Sequence, residues 1–342
     1  MSIPAAAAMR CDRLAAACAA AFFPLALVGL CVFLPDAEAA TQSVHVEAGV
    51  EEKYDDLALY VIDQTQPAPT VSQQGDWITE PYLTLSYTTS RRLPTKLVFD
   101  FTADVYAKYS VLDYQTYRFL VRQAIDDRTA VALKYTFIPK IFFGDDIVGA
   151  TSGGVPFKSQ QHEIHLVQVT ADRDLRPDLN VGLTARYGIR DAEPAFNYRD
   201  YSLWGVSVEG LYRPAPRWRL TTGAFFEQDM ARGGTNAFTT APDDASYDQV
   251  AAYAGLTYSI MNRWLLKGRY AYRWRDYPTS LTGDTLHHDR TDSTNSLLFV
   301  ATYRLADALH LKAGYESIWR DSTKSYARYH ENIYTVGLNY RF

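Results

Sequence analysis

Apolar and polar residues alternate with a period of two along most of this chain. In the last nine residues, YTVGLNYRF, Tyr334, Val336, Leu338, Tyr340 and Phe342 fall on one face, and Thr335, Gly337, Asn339 and Arg341 fall on the other. The same alternation, punctuated by Gly, Pro, Asp and Ser, predicts fourteen strands: 44–54, 77–87, 96–108, 114–125, 130–143, 160–171, 179–190, 198–212, 218–228, 247–260, 264–275, 293–305, 309–319 and 328–342.

The connections between these strands are unequal. Short ones carry RRLPT (91–95), DDRT (126–129), DLRPD (174–178), RPAPR (213–217), MNR (261–263) and ADA (306–308). They alternate with connections that are mostly longer, around 56–76, 144–158, 231–246 and 276–292, with briefer ones near 109–113, 191–197 and 320–327. An even number of strands with short turns at one end and long loops at the other is the pattern of an outer-membrane barrel. Strand length agrees, because a spanning strand needs about nine to eleven residues and strands of globular proteins usually have about five or six. The expected fold is therefore an all-β, antiparallel, up-and-down transmembrane barrel. A soluble β-sandwich would have to bury the charged face of these strands in a dry core, where unpaired charge is costly.

That fold assigns a direction to every charge on a cleanly alternating strand. On 264–275, Trp264, Leu266, Gly268, Tyr270, Tyr272 and Trp274 face lipid, and Lys267, Arg269, Arg273 and Arg275 face inward. The opposite register would place Arg and Lys in lipid at about 2–4 kcal/mol each near the midplane. Further inward cations are expected at Arg118, Arg122, Lys134, Lys140, Arg186, Arg190 and Arg219. Glu47, Glu51, Glu80, Asp100 and Asp104 form an inward acidic arc on the first three strands, nearly across the ring from the basic strip on the eleventh. Two arrangements fit these charges: a closed interior knitted by ion pairs, or a water-filled pore with a field across it. Fourteen strands fall between the small barrels filled by side chains and the 16–18-stranded barrels that leave a channel. The excess of inward cations favours small polar or anionic solutes, acidic saccharides among them.

Composition adds the cellular address. Arg10 and Arg13 precede an apolar run over 14–34, and Ala37, Glu38 and Ala39 supply a small-residue cleavage pattern. Residues 1–39 are thus expected to be a secretory signal peptide, and 40–342 a single barrel domain. All three cysteines, Cys11, Cys18 and Cys31, lie in the removable segment, so the mature chain is expected to hold no disulfide and no cysteine metal site. Hydrophobic residues make up 47% of the chain and aromatic residues 14%, with 25 tyrosines, which excludes a disordered protein. A formal net charge of −5 without a basic tract gives nucleic-acid binding no support.

Taken together, the export segment, the alternating hairpins and the terminal strand ending in Phe342 resemble the outer-membrane β-barrel proteins of Gram-negative bacteria. The hairpin DWITEPYLTLSYTTSRRLPTKLVFDFTADVYAKY (76–109) is similar to those of β-barrel porins, some of them associated with exopolysaccharide systems. The resemblance implies an outer-membrane location and a porin-like channel for passive diffusion. It also implies that Tyr340 and Phe342 belong to a C-terminal signal read by the barrel-assembly machinery, with lipid and small polar solutes as the other partners. An accessory or structural barrel of a surface-polysaccharide system is the alternative, and an outer-membrane hydrolase a further one.

No enzyme and no cofactor are expected. None of the seven histidines (His45, His162, His165, His287, His288, His310, His330) lies in a nucleophile-elbow sequence, and HEIH at 162–165 lacks the HExxH spacing. On a strand, His162 and His165 would point to opposite faces. The loop LTGDTLHHDRTDS (281–293), with His287 and His288, lacks a calcium or zinc spacing and is expected to be solvated, without a metal. The glycine-rich segment GDDIVGATSGGVPF (144–157) fits either an inward constriction or an external loop.

Overall fold

The computed structural model describes residues 43–63, 70–89, 92–142, 161–235, 242–261 and 263–342. The expected signal peptide and the 144–157 segment lie outside the described residues. Chain order gives β1 (Ser43–Asp63), β2 (Thr70–Thr88), β3 (Thr95–Tyr106), β4 (Tyr114–Ala124), β5 (Thr129–Phe142), β6 (Gln161–Arg176), β7 (Leu179–Ala192), β8 (Tyr201–Ala215) and β9 (Trp218–Ala231). A two-residue pair follows, β10 (Gly234–Thr235) with β11 (Pro242–Asp243). Then come β12 (Tyr247–Ile260), β13 (Trp264–Asp276), β14 (Thr291–Arg304), β15 (Leu309–Ser322) and β16 (Tyr329–Arg341). Fourteen of these close into one barrel, each strand pairing with its neighbour along the chain, β9 with β12, and β1 closing on β16. Every pairing is antiparallel, as hairpin connections require.

Three local readings need correction. β1 and β2 run far past the expected hairpin, pairing as far as Asp63 with Thr70 after an irregularity between Asp55 and Leu59. The strand expected to begin at 198 begins at Tyr201, because Pro194–Arg199 forms a 3₁₀ segment with proline at its start, where a missing N–H costs nothing. Lys140 lies in a register shift between Ile138 and Ile141, beside Pro139, so alternation no longer carries it inward.

Ion pairs that skip a strand identify the concave face. Arg186 on β7 and Glu227 on β9 both pair in register with Gly205 of the intervening β8, and their side chains meet at 2.8 Å. Lys312 on β15 and Glu51 on β1 likewise flank Gly337 of β16 and meet at 2.7 Å. Side chains two strands apart converge only inside a ring. Glycine is required beneath them, because a Cβ on Gly205 would lie 2.8 Å from the Phe226 carbonyl oxygen and 2.9 Å from Arg186 Nε. The opposite face carries Leu183 at 61%, Val336 at 59% and Phe299 at 52% exposure, an apolar belt that suits lipid and not water. No described helix is long and apolar enough to cross a membrane. The purified chain should accordingly require detergent, give a strand-rich circular dichroism spectrum and migrate more slowly on gels after heating. A helical spectrum, or solubility without detergent, would contradict this fold.

The short-turn rim is aromatic outside. Trp218 stacks near Tyr258 at 4.2 Å, Trp264 near Tyr303 at 4.7 Å, and Tyr340 meets Phe342 edge-on at 4.5 Å. Such rings suit the membrane interface, with an apolar body and, in Trp and Tyr, a polar tip. In the 125–129 turn, Asp126 accepts hydrogen bonds at 2.7 Å from the amides of Arg128 and Thr129, which hold its carboxyl below the usual carboxylate range. The final residue is tied across the closing seam, its amide donating to the Val46 carbonyl at 2.8 Å, while Arg341 Nε donates to Glu47 at 2.9 Å. Deleting Phe342 removes that bond and one ring of the rim. We expect a lower yield of inserted barrel in outer-membrane fractions; undiminished insertion would deny the residue any part in assembly.

Candidate functional site: an arginine and tyrosine chamber at the loop rim

Cross-strand register puts the predicted lumen residues on the inward face, Lys140 excepted. Arg118 pairs with Asp100, Lys134 with Gln168, Arg186 with Gly205, and Lys267, Arg269, Arg273 and Arg275 with Val300, Leu298, Thr294 and Asp292. The acidic arc is not left bare. Lys53 lies 2.6 Å from Glu80 and 3.4 Å from Asp104, Lys312 holds Glu51, Arg341 holds Glu47, and Asp100 accepts the Thr84 hydroxyl at 2.7 Å. Arg122 pairs with Asp172 at 2.6 Å. A cavity of about 580 Å³ on the short-turn side of the lumen has a wall of mixed charge, including Arg122, Asp172, Arg186 and Glu209.

A second chamber, of about 240 Å³, is different. It sits at the loop rim, and among the described residues its wall contains six arginines, Arg190, Arg199, Arg273, Arg275, Arg290 and Arg320, with His162 and His287, four tyrosines and Ala245, and no carboxylate. Four of the arginines stack on the chamber's tyrosines: Arg190 on Tyr201 at 4.7 Å, Arg275 on Tyr247 at 3.9 Å, Arg290 on Tyr277 at 4.7 Å and Arg320 on Tyr329 at 4.3 Å. The acids that steady them are buried and do not line the chamber. Asp229, at 0% exposure, is 3.6 Å from Arg190; Asp243 is 2.5 Å from Arg199; Asp292 is 2.9 Å from Arg290 and 3.7 Å from Arg320. Arg275 directs Nε and Nη2 at the neutral Gln249 oxygen, at 3.2 and 2.9 Å. Arg273 has no ion-pair partner among the described residues. Guanidinium groups clamped by ring faces and buried carboxylates are pre-oriented, so an incoming anion need not order them.

The loops supply the rest of the wall, which corrects the expectation of a solvated segment at 281–293. Asp284, His287, Arg290 and Asp292 are all buried. Asp284 Oδ1 accepts from the amides of Leu286 and His287, and Asp284 Oδ2 from the amide of Asp244, which pins this loop to the neighbouring one. Burial pushes the Asp284 carboxyl up, but the hydrogen bond and charge of His287, 3.0 Å away, outweigh it and hold it below the usual range. Asp243, Asp284 and His287 offer ligand-type atoms within 4.8 Å of one another, a grouping that could hold a metal ion. The Arg199 guanidinium on Asp243 already supplies a cation there, so the cluster reads as an ion-pair clip between loops.

The profile of the outer membrane protein β-barrel domain matches residues 158–342, more than half of the chain. The chain belongs to that family. It is a bacterial outer-membrane protein whose barrel the membrane surrounds. Among curated proteins, none matches. Solved structures that resemble this outer-membrane barrel include the DcaP channel of Acinetobacter baumannii, 12% identical over 90% of this chain and 99% of that one, with a TM-score of 0.48. Others are a bacterial polysaccharide outer membrane secretin (10% identical, 87% and 98% covered, TM-score 0.46) and an anion-selective porin from Comamonas acidovorans (8%, 89% and 100%, 0.44). Likeness at this level carries no argument about solutes.

The histidines separate as alternation required. His162 is buried in the chamber wall, whereas His165 stacks on the outward Phe137 at 5.0 Å. Ser317 Oγ and His330 Nε2 are 2.9 Å apart on the outward face of this barrel.

Proposed function

We propose that this outer-membrane barrel is a channel for small polar solutes with a preference for anions, and that the arginine and tyrosine chamber at the loop rim sets that preference. One observation supports the reading above others: a lumen-facing chamber whose wall, among the described residues, carries six arginines and no acid. An interior evolved only to close would pair its charges, as the cations on the acidic arc do. Here the acids are buried against the arginines and stay out of the lining, so the wall presents positive charge to whatever occupies the chamber. In a confined, low-dielectric space this favours entry of anions and repels cations.

Entry still requires a barrier low enough to leave. The wider cavity of mixed charge beyond the chamber offers a weaker, hydrated stage before the short-turn rim. The test is uptake into liposomes containing the refolded barrel. Glucuronate should enter faster than neutral glucose, and protonated glucosamine slowest of the three. Equal rates, ordered only by size, would remove the charge filter; no uptake of any solute would remove the channel.

A further inference from the structure

The wider cavity on the short-turn side, of about 580 Å³, falls within the range of about 300–1,000 Å³ that small-molecule sites occupy. Among the described residues its wall carries three arginines (Arg122, Arg186, Arg213) and three carboxylates (Asp172, Asp174, Glu209), so the formal charges cancel. Net charge on a solute brings little advantage there. Hydrogen-bonding groups are plentiful instead, because Thr170, Asn180, Thr184 and Ser207 stand on the same wall. Short contacts hold them in place: Arg122 lies 2.6 Å from Asp172, Asn180 donates to Asp174 at 2.9 Å, and the Thr170 and Thr184 hydroxyls are 2.8 Å apart. A carboxylate has about four acceptor positions and a guanidinium about five donors, so such pairs orient these groups without exhausting them.

Two rings give the wall an apolar part. Phe225 on β9 and Tyr253 on β12 both line the cavity, and both are partly exposed. Tyr253 pairs in register with Gly223, which precedes Phe225 by two residues on the same face, so the two residues stand on a diagonal of neighbouring strands, about 7–8 Å apart at the backbone. The Tyr253 ring sits so close over Gly223 that a Cβ there would come within 2.6 Å of it. Its hydroxyl donates to Glu209, the Arg269 guanidinium lies 4.4 Å over its ring, and Arg186 lies 4.8 Å over the ring of Phe225. Both rings are thus held before a solute arrives. Ring faces beside a fringe of donors and acceptors match a molecule with an apolar C–H face and a hydroxyl edge, which is the chemistry of a sugar ring.

We infer that this cavity is a weak, saturable binding site for a neutral, ring-shaped polyol, a mono- or disaccharide, with Phe225 and Tyr253 as its platform. The inference goes beyond the anion preference and rests on the channel reading only for the solute's route. The arginine chamber sorts by charge, and the cavity retains hydroxylated rings. The wall also offers a way to fill the site without disturbing it: Gly182 on β7 lines the cavity, and a Cβ there would meet no atom closer than 3.8 Å.

The experiment is saturation-transfer NMR on the refolded barrel, in a detergent without a sugar headgroup, titrated with maltose or with sorbitol, which needs no conduction. Maltose should show saturable transfer, strongest at its ring C–H protons, and should bind on the order of tenfold tighter than sorbitol, whose hydroxyls sit on an open chain. Phe225→Ala and Tyr253→Ala should each weaken maltose binding on the order of tenfold, and Tyr253→Phe, which keeps the ring, should weaken it less. Gly182→Val should weaken it by occupying the space. Asp307→Asn, on the exposed turn between β14 and β15, serves as the control, and heat-dependent gel migration verifies each variant's fold. No saturable transfer to maltose, sorbitol binding as tightly as maltose, or Phe225→Ala, Tyr253→Ala and Gly182→Val all binding like the parent would overturn the inference. Uptake without saturable maltose binding would overturn it while leaving the channel standing; binding without uptake would do the reverse.

Discussion

Replacing Arg273 and Arg275 together with glutamine should abolish most of the anion preference while leaving the barrel folded. Both line the chamber, and Arg273 has no ion-pair partner among the described residues. A unit charge about 6 Å from a passing ion contributes about 0.7 kcal/mol in water and about 2.8 kcal/mol at an effective dielectric constant of 20. Two such charges shift an anion-to-cation permeability ratio on the order of tenfold or more, which a reversal potential across a salt gradient reads directly. Salt screening over about 10 Å at 0.1 M confines the effect to charges at the narrow part. The matching pair Lys267→Gln and Arg269→Gln lies further from the loop rim, outside the chamber wall, and should shift the ratio less. Equal effects from the two pairs would move the filter away from the chamber.

Gly205→Val should have the largest effect on assembly. The new Cβ would lie 2.8 Å from a backbone oxygen, which cannot turn aside, and 2.9 Å from Arg186 Nε, so the Arg186–Glu227 bridge over β8 must open. Overpacking of this kind costs about 1–3 kcal/mol before the lost partner of the buried Glu227 is counted. Refolding yield, read as the fraction of fast-migrating unheated protein, should fall sharply. Gly210→Ala on the same strand is the comparison: its Cβ would meet Thr222 Cγ2 at an ordinary 3.5 Å, and folding should be unchanged.

The barrel was legible because lipid and water impose opposite demands on alternate residues. Trp264, Leu266 and Tyr270 had to face outward for Lys267 and Arg269 to avoid lipid, and the register agrees. What alternation does not carry is which residues meet across the ring. Lys312 reaches Glu51 and Arg341 reaches Glu47 only because closure joins the ends of the chain, so the acidic arc gained partners that no local window predicts. Lys140 departed from the pattern at a bulge that Pro139 could have signalled, since proline inside a strand removes a ladder donor. The chamber was half visible. Arg190, Arg273 and Arg275 follow from strand faces, but Arg290 comes from a connection, where no periodicity assigns a direction, and Arg199 lies in a 3₁₀ segment although the expected strand 198–212 included it. Arg320 was assigned to the connection near 320–327, but β15 continues to Ser322, and even spacing from Lys312 carries Arg320 inward. His287 looked solvated by composition; its burial depends on Asp284 folding the loop onto its own amides and onto Asp244.

Single-channel recording in a planar bilayer tests the central claim most directly. The refolded barrel should give stepwise currents in potassium chloride, with a reversal potential of the sign that marks chloride as the more permeant ion. A folded, inserted barrel that passes no current, or one whose reversal potential marks potassium as the more permeant ion, would contradict an anion-preferring channel filtered by the arginine chamber.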